Sequence, residues 1–328
     1  MSIPEIKYCP GTLAAGHDTY SRTCLNRLFT GRKVDHILPY FSPAANKAAD
    51  RLFLENRKRI SISGVQEKFS VLLEKNKLRL TNKGKQGTYI LKPVPGTGKN
   101  SDQMPANEHL TMQIARQVFD IETAENGLIF FKDGEPAYIT KRFDVREEGS
   151  KWAKEDFAAL AGRTSQTHGE HYKYIGSYSE LFELMKKHLP AYKPEAPKLL
   201  KLLVFNYLFS NGDAHFKNFS LLETPFGDFR LSPAYDLLNS RLHIKDTDFA
   251  LDDGLLPKSM KKGKVLEKFH LLAVLAGLNE DQVEAIFKIM FSDSEKVAEL
   301  IDASYLSNRF KHSYLQAYQS RLNKLQKK

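Results

Sequence analysis

Cysteine is scarce in this chain of 328 residues: only Cys9 and Cys24 occur. Two thiols exclude the disulfide framework of a small secreted scaffold, and a chain of this length needs no such staples. The N-terminus lacks a signal-peptide pattern, because Pro4, Glu5 and Lys7 interrupt it early. No apolar run approaches the roughly 18 residues of a membrane helix, so no membrane contact is expected and cytoplasmic residence is the default. Glycine-rich phosphate signatures are also missing. Gly64 stands alone where G-x-G-x-x-G would be needed. Gly96-Thr97-Gly98-Lys99-Asn100 resembles the end of a Walker A loop, but Pro93 takes the place of its first glycine and Asn100 that of its Ser/Thr. That segment is rejected as a P-loop. Cys9, His17 and Cys24 lack paired C-x-x-C spacing and argue only weakly for zinc.

What is present is ordinary for a soluble protein of one or two domains, with 41% hydrophobic and 27% charged residues. The formal charge is +10. Lys258, Lys261, Lys262, Lys264 and Lys268 form one dense run, and Arg321, Lys324, Lys327 and Lys328 end the chain. These read either as a solvated face and tail or as contacts to a polyanion. No helix-turn-helix, zinc-finger or aromatic RNA-binding signature accompanies them, so direct reading of DNA is not supported.

Residues 1 to about 40 read as irregular, followed by a short helix over 43–55. Alternating apolar positions predict strands at Ile60 and Ile62, at Phe69, Val71 and Leu73, at 78–80 and at 89–91. Ser61, Ser63 and Gly64 lie between or beside the first two as a small, hydroxyl-rich tip, whose glycine lets backbone N–H groups approach phosphates. An amphipathic helix over 107–119 carries Leu110, Ile114 and Val118 on one face. Glu108 in its first turn either offsets the helix dipole or reaches Lys92 at the end of the strand before it. Strands are expected at 128–131 and 137–141. Residues 147–178 are polar and expected to hold a mobile loop, with solvated histidines. Helices are expected over 179–188, 197–209, 266–278, 280–291, 295–303 and 307–325, with Asn279 capping the fourth. The expectation is an α+β chain of two lobes: a sheet-rich one over 1–143 and an all-helical one over 144–328.

The informative stretch follows the helix that ends near Phe209: Ser-Asn-Gly-Asp-Ala-His-Phe-Lys-Asn, Ser210 to Asn218. Asp213 and Asn218 form D-x-x-x-x-N, and a second acid, Asp236, follows an expected hairpin of 220–222 and 229–231. Asn-Gly-Asp by itself is turn chemistry. Together, however, a small-residue loop, the strand-end Lys92, Glu108, D-x-x-x-x-N and Asp236 occur in the order of a protein kinase. In that scheme one carboxylate orients a hydroxyl, while an amide and a carboxylate hold metal. Asp236 is followed by Leu-Leu rather than Phe-Gly, and His-Arg does not precede Asp213, so this is not an ordinary eukaryotic-type kinase.

The segments Ser-Ile-Ser-Gly-Val-Gln-Glu-Lys, Tyr-Ile-Leu-Lys-Pro, Asn-Glu-His-Leu-Thr-Met, Lys-Arg-Phe-Asp, Lys-Glu-Asp-Phe, Asn-Gly-Asp-Ala-His-Phe-Lys-Asn-Phe and Leu-Ser-Pro-Ala-Tyr-Asp resemble the HipA-like serine/threonine kinases, toxins of bacterial toxin–antitoxin systems. The resemblance runs from about Arg59 to the C-terminus and is greatest to the short HipT branch, in which a missing N-terminal subdomain is a separate small protein. It implies a bilobal kinase-like fold using ATP and Mg²⁺. Asp213 would be the catalytic base; Asn218 and Asp236 would hold Mg²⁺; Lys92 would bind the α- and β-phosphates. The loop Ser63, Gly64, Val65, Gln66, Glu67 and Lys68 would cover the phosphates. Lys141, Arg142 and Phe143 would meet adenine, although family members often carry an acid where Lys141 stands. His215 and Tyr235 would line the nucleotide pocket. Ser61 aligns with the serine that the family autophosphorylates, and Ser63 is a second candidate. The implied partners are a protein substrate, with aminoacyl-tRNA synthetases among those of the family, and a cognate antitoxin that gives only indirect access to DNA. Two rival readings stay open: a kinase of lipids or small molecules, and a weakly catalytic component of a DNA-bound antitoxin complex.

Overall fold

The computed structural model describes residues 5–57, 67–81, 85–146, 149–245, 247–260 and 262–327, and all that follows concerns these. Lys58 to Gln66, which hold most of the expected phosphate loop, the Ile60 and Ile62 strand and both candidate phosphoserines, lie outside the described residues. The chain divides into two compact units. The first comprises 1–113, 124–150 and 298–311, and the second 114–123, 151–297 and 312–328.

In the first unit, helices α1 (Arg22–Phe29) and α2 (Lys47–Arg57) precede strands β1 (Phe69–Glu74), β2 (Lys77–Leu80) and β3 (Tyr89–Pro93). Helix α3 (Met104–Gln117, its last turn grouped with the second unit), β4 (Asn126–Phe130) and β5 (Pro136–Lys141) complete its regular elements. The strands form one antiparallel sheet in the order β2-β1-β3-β5-β4. Phe69 and Val71 of β1 bury one face, as the alternation predicts, beside Leu91, Ile139 and Phe53. Helix α3 begins three residues before the expected 107. Pro105 sits in its first turn, where a backbone N–H has no helical partner.

The N-terminal residues are more ordered than expected. Ser21 caps α1 by accepting the Cys24 N–H, and Thr30 closes it in the left-handed region. The segment then covers the outer edge of β4. Leu128 N–H donates to Pro10 O (2.7 Å), Phe130 N–H to His36 O (2.8 Å) and Leu38 N–H to Phe130 O (2.7 Å). Tyr20 Oη donates to Leu128 O (2.6 Å). An otherwise open strand edge is thereby satisfied. These are single-residue pairings, which leave no periodic signature in a sequence. Cys9 and Cys24 are both buried free thiols. Among the described residues no group of three or more His, Cys, Asp or Glu is placed to hold a metal ion.

In the second unit, β6 (Lys154–Asp156), α4 (Phe157–Leu160), α5 (Ser165–His168), α6 (Ser179–His188) and α7 (Tyr192–Leu208) precede the hairpin β7 (Ser220–Glu223) and β8 (Phe229–Leu231). Helices α8 (Val265–Leu275), α9 (Glu280–Phe291), α10 (Ser294–Ala303) and α11 (Asn308–Gln326) follow; Ala298–Ala303 and Asn308–Lys311 are grouped with the first unit. The hairpin is where it was expected, and Asn279 caps α9 as expected. Two expectations are corrected. The second lobe is not all-helical: β6 pairs with β7, adding a three-stranded sheet to the helices expected here. Arg321 is not a tail residue in water. Tyr314, Tyr318, Arg321, Leu322 and Leu325 share the buried face of α11, and Arg321 Nη1 lies 2.5 Å from Asp248 Oδ1 with its guanidinium 4.5 Å from the Tyr207 ring centroid. Lys324 and Lys327 are exposed. No helix among the described residues is long and apolar enough to cross a membrane.

A Cβ on Gly127 would stand 3.0 Å from Leu28 Cδ2 and 3.3 Å from Gly11 Cα, whereas one on Gly96 would meet nothing within 4 Å. Gly127→Ala is expected to cost about 1–3 kcal/mol in chemical denaturation. Gly96→Ala is expected to leave both stability and nucleotide binding unchanged, which a working P-loop glycine would not. His109 in α3 is fully buried, and burial pushes its pKa down to about 4. Between pH 6.5 and about 4 the unfolded chain therefore takes up a proton that the folded one refuses, so stability falls as pH falls. The expected loss is roughly 3 kcal/mol across that window, and His109→Gln should flatten the slope measured by denaturation at pH 7, 6 and 5.

Candidate active site

In the first unit, β3 carries Lys92 and the second turn of α3 carries Glu108. Both are nearly inaccessible, at 2% and 3% exposure. Lys92 Nζ donates to Glu108 Oε1 at 2.6 Å and stands 5.2 Å from the Tyr138 ring centroid. Of the two readings of Glu108, the structure shows contact with Lys92. A buried ammonium needs a paired carboxylate of this kind to be tolerated. Strand β5 aligns Tyr138 with Lys92 and Lys141 with Tyr89. Beyond it, Arg142 N–H donates to Thr88 O at 2.8 Å. The Arg142 guanidinium grips Asp144 with two bonds, Nε to Oδ1 at 2.9 Å and Nη2 to Oδ2 at 2.6 Å. Glu67 and Lys68, the described end of the expected phosphate loop, are half-buried just before β1, as is Phe143 after β5.

In the second unit, α7 ends in a Schellman turn. Asn211 N–H reaches back to Asn206 O (2.8 Å) and Ser210 N–H to Tyr207 O (3.2 Å), with Ser210 at φ +54°. A serine in the left-handed region is strained, and tertiary contacts hold it there. Ser210 O accepts both the Ser240 N–H (3.1 Å) and the Ser240 hydroxyl (2.8 Å), and Ser240 Oγ in turn accepts the Gly212 N–H (2.9 Å). The chain leaves this knot at Asp213. His215 N–H donates to Asp213 O and to Asn218 Oδ1, so one short turn joins the acid to the amide. Tyr235 Oη donates to Lys217 O (2.9 Å) and also bonds the Ser220 hydroxyl, tying the residue before Asp236 to the same turn. Asp236 itself has φ +56°, a second strained non-glycine residue. Asp213, His215, Asn218, Tyr235 and Asp236 thus belong to one local construction.

Burial first, and the nearby Lys173 second, push the His215 pKa down to about 3, so its imidazole is neutral at ordinary pH. Its Nδ1 is buried with no hydrogen-bond partner among the described residues. Asn218 and Asp236 offer hard oxygen donors, few in number. That suits Mg²⁺, which is usually held by one or two protein groups, with water and phosphate filling the remaining positions.

Three residues that sequence reasoning did not assign to the site touch it. Tyr174 Oη donates to Asp213 Oδ1 at 2.8 Å. Lys217 Nζ donates to Tyr172 Oη at 3.3 Å. Arg321 Nε donates to Ser210 Oγ at 3.4 Å. The tyrosines sit in a stretch whose polarity suggested solvent, and the arginine lies far along the chain; no local spacing signals either.

A HipA-like C-terminal domain model matches residues 60–298. A protein named as a kinase, Y4dM of Sinorhizobium fredii, is 32% identical over 245 residues, covering 70% of this chain and 56% of that protein. A protein named as a kinase from Haemophilus influenzae is 26% identical over 193 residues, 56% of this chain and 54% of its own length. The serine/threonine-protein kinase toxin HipA of Shewanella oneidensis is 26% identical over 244 residues, 68% of this chain and 52% of that one. The chain therefore spans about half the length of the curated relatives it matches. Among solved structures, Shewanella oneidensis HipA, in a complex with HipB and operator DNA, superposes with a TM-score of 0.61 at 22% identity, over 80% of this chain and 63% of that one. The Helicobacter pylori proinflammatory kinase CtkA gives 0.51 at 14% identity, over 77% and 92%. The fold is thus kinase-like, and with the family model covering most of its length the chain belongs to the HipA-like family.

Proposed function

We propose that the chain is an ATP- and Mg²⁺-dependent protein serine/threonine kinase, acting as the toxin of a toxin–antitoxin pair. The observation that carries this reading is the construction in the second unit: Asp213 and Asn218 on one turn, with Asp236 tied to it through Tyr235. The buried Lys92–Glu108 pair supports it from the first unit. Asp213 would orient the acceptor hydroxyl and take its proton as the oxygen bonds the γ-phosphorus and the bond to ADP breaks. Lys92 would bind phosphate oxygens, with Glu108 holding its ammonium in place. Asn218 and Asp236 would hold Mg²⁺, whose charge offsets that of the phosphates. Neutral His215 would offer an uncharged ring, and Tyr235 would keep Asp236 beside the turn.

The finer reading follows the same family. The substrate would be a protein such as an aminoacyl-tRNA synthetase, whose modification stops growth. A cognate antitoxin would restrain the enzyme and bring it to DNA only indirectly. As in the short HipT branch, a separate small subdomain protein would complete the assembly. Ser61 or Ser63 would be autophosphorylated; a phosphoserine carries close to two negative charges and would repel the phosphates of ATP.

Incubation with γ-labelled ATP and a cell lysate is expected to label protein bands and the chain itself. Asp213→Asn should cut both to a small residual level and relieve growth arrest on expression; equal labelling by this variant would exclude the assignment. Lys92→Met should cut phosphotransfer by two or more orders of magnitude. Glu108→Gln should lower stability as well, by about 3–5 kcal/mol, because it strands a buried ammonium; denaturation midpoints distinguish the two effects.

A further inference from the structure

Tyr174 reaches Asp213 from a segment with no regular structure beyond a single turn at 172–174. That segment is nevertheless held tightly. Tyr174 N–H donates to His171 O at 2.9 Å. Three successive carbonyls each have a donor: Tyr174 O accepts Asp252 N–H (2.9 Å), Ile175 O accepts Arg163 Nη1 (2.6 Å) and Gly176 O accepts Asp253 N–H (3.0 Å). Arg163 is itself paired with Glu180. The phenol ring meets the His215 ring edge-on, with centroids 5.2 Å apart and an interplanar angle of 74°. The Lys173 ammonium lies 4.9 Å from its centroid. A hydroxyl anchored on this many sides has a defined position, and it spends its proton on Asp213 Oδ1.

We infer that Tyr174 is a positioning residue for Asp213: its hydroxyl fixes the orientation of the carboxylate that meets the acceptor hydroxyl. This inference rests on the kinase reading of the site. A carboxylate on a short turn can rotate about its side-chain bonds. A donor to one oxygen removes that freedom. The alternative, a flexible segment that merely occupies the acceptor's place, does not account for the three satisfied carbonyls behind the ring. Reaction geometry is sensitive on the ångström scale, so an unfixed base is a poor one.

Tyr174→Phe keeps the ring and its packing and removes only the donor. Label transfer from γ-labelled ATP is measured at varied ATP, into dephosphorylated casein and into the chain itself. The expected result is a fall in kcat of about tenfold, the scale of one hydrogen bond to a charged group. The KM for ATP and the melting temperature should stay close to those of the parent protein. In the Asp213→Asn background, adding Tyr174→Phe should have no further effect on residual transfer. An unchanged kcat in an active parent protein overturns the inference alone. A rise in kcat/KM for casein also overturns it, since that marks Tyr174 as a competitor of the acceptor. A parent protein that labels neither casein, nor itself, nor any lysate band overturns the kinase reading and this inference with it.

Discussion

The Ser210 carbonyl accepts two hydrogen bonds from Ser240, and Ser240 Oγ accepts the Gly212 N–H. This knot fixes the turn out of α7 at a left-handed, non-glycine residue. Strain at Ser210 is sustained because the serine has work that glycine could not do: its hydroxyl accepts Arg321 Nε. Arg321 is buried to 1% exposure, faces Tyr207 and pairs with Asp248. Asp213, Asn218 and their neighbours follow from that fixed starting point. A buried ion is costly, and its retention is understandable where it joins α11 to the start of the turn that carries Asp213.

The first unit depends in the same way on one desolvated pair. Lys92 on a central strand and Glu108 on α3 neutralise each other at 2.6 Å. Neither charge would survive there alone. The sheet around them is closed at its β4 edge by the N-terminal segment, and the absence of a Cβ at Gly127 lets that segment approach within van der Waals distance.

Much of this was legible beforehand. Residues with a period of two or 3.6 marked most strands and helices, and the β7–β8 hairpin and the Asn279 cap of α9 appear where the pattern placed them. Helix α7 extends five residues earlier than its prolines suggested. Pro194 falls in the first turn, where a missing N–H costs nothing, and Pro197 gives up a single bond. Short elements were harder. Helix α1 has eight residues and β6 has three, too few for a periodic signal, and each is held by a cap or a partner strand rather than by its own propensity.

The sequence by itself determined the chemistry available: D-x-x-x-x-N, the later Asp236, Lys92 ahead of Glu108, and motifs that place the chain in its family. These are local in spacing, and backbone geometry over a few residues is encoded locally. Only the tertiary structure decided which distant side chains serve them. Tyr174 lies 39 residues from Asp213, and Arg321 lies 111 residues from Ser210. Such contacts depend on packing across elements, and no spacing rule connects residues that meet only once the chain has folded.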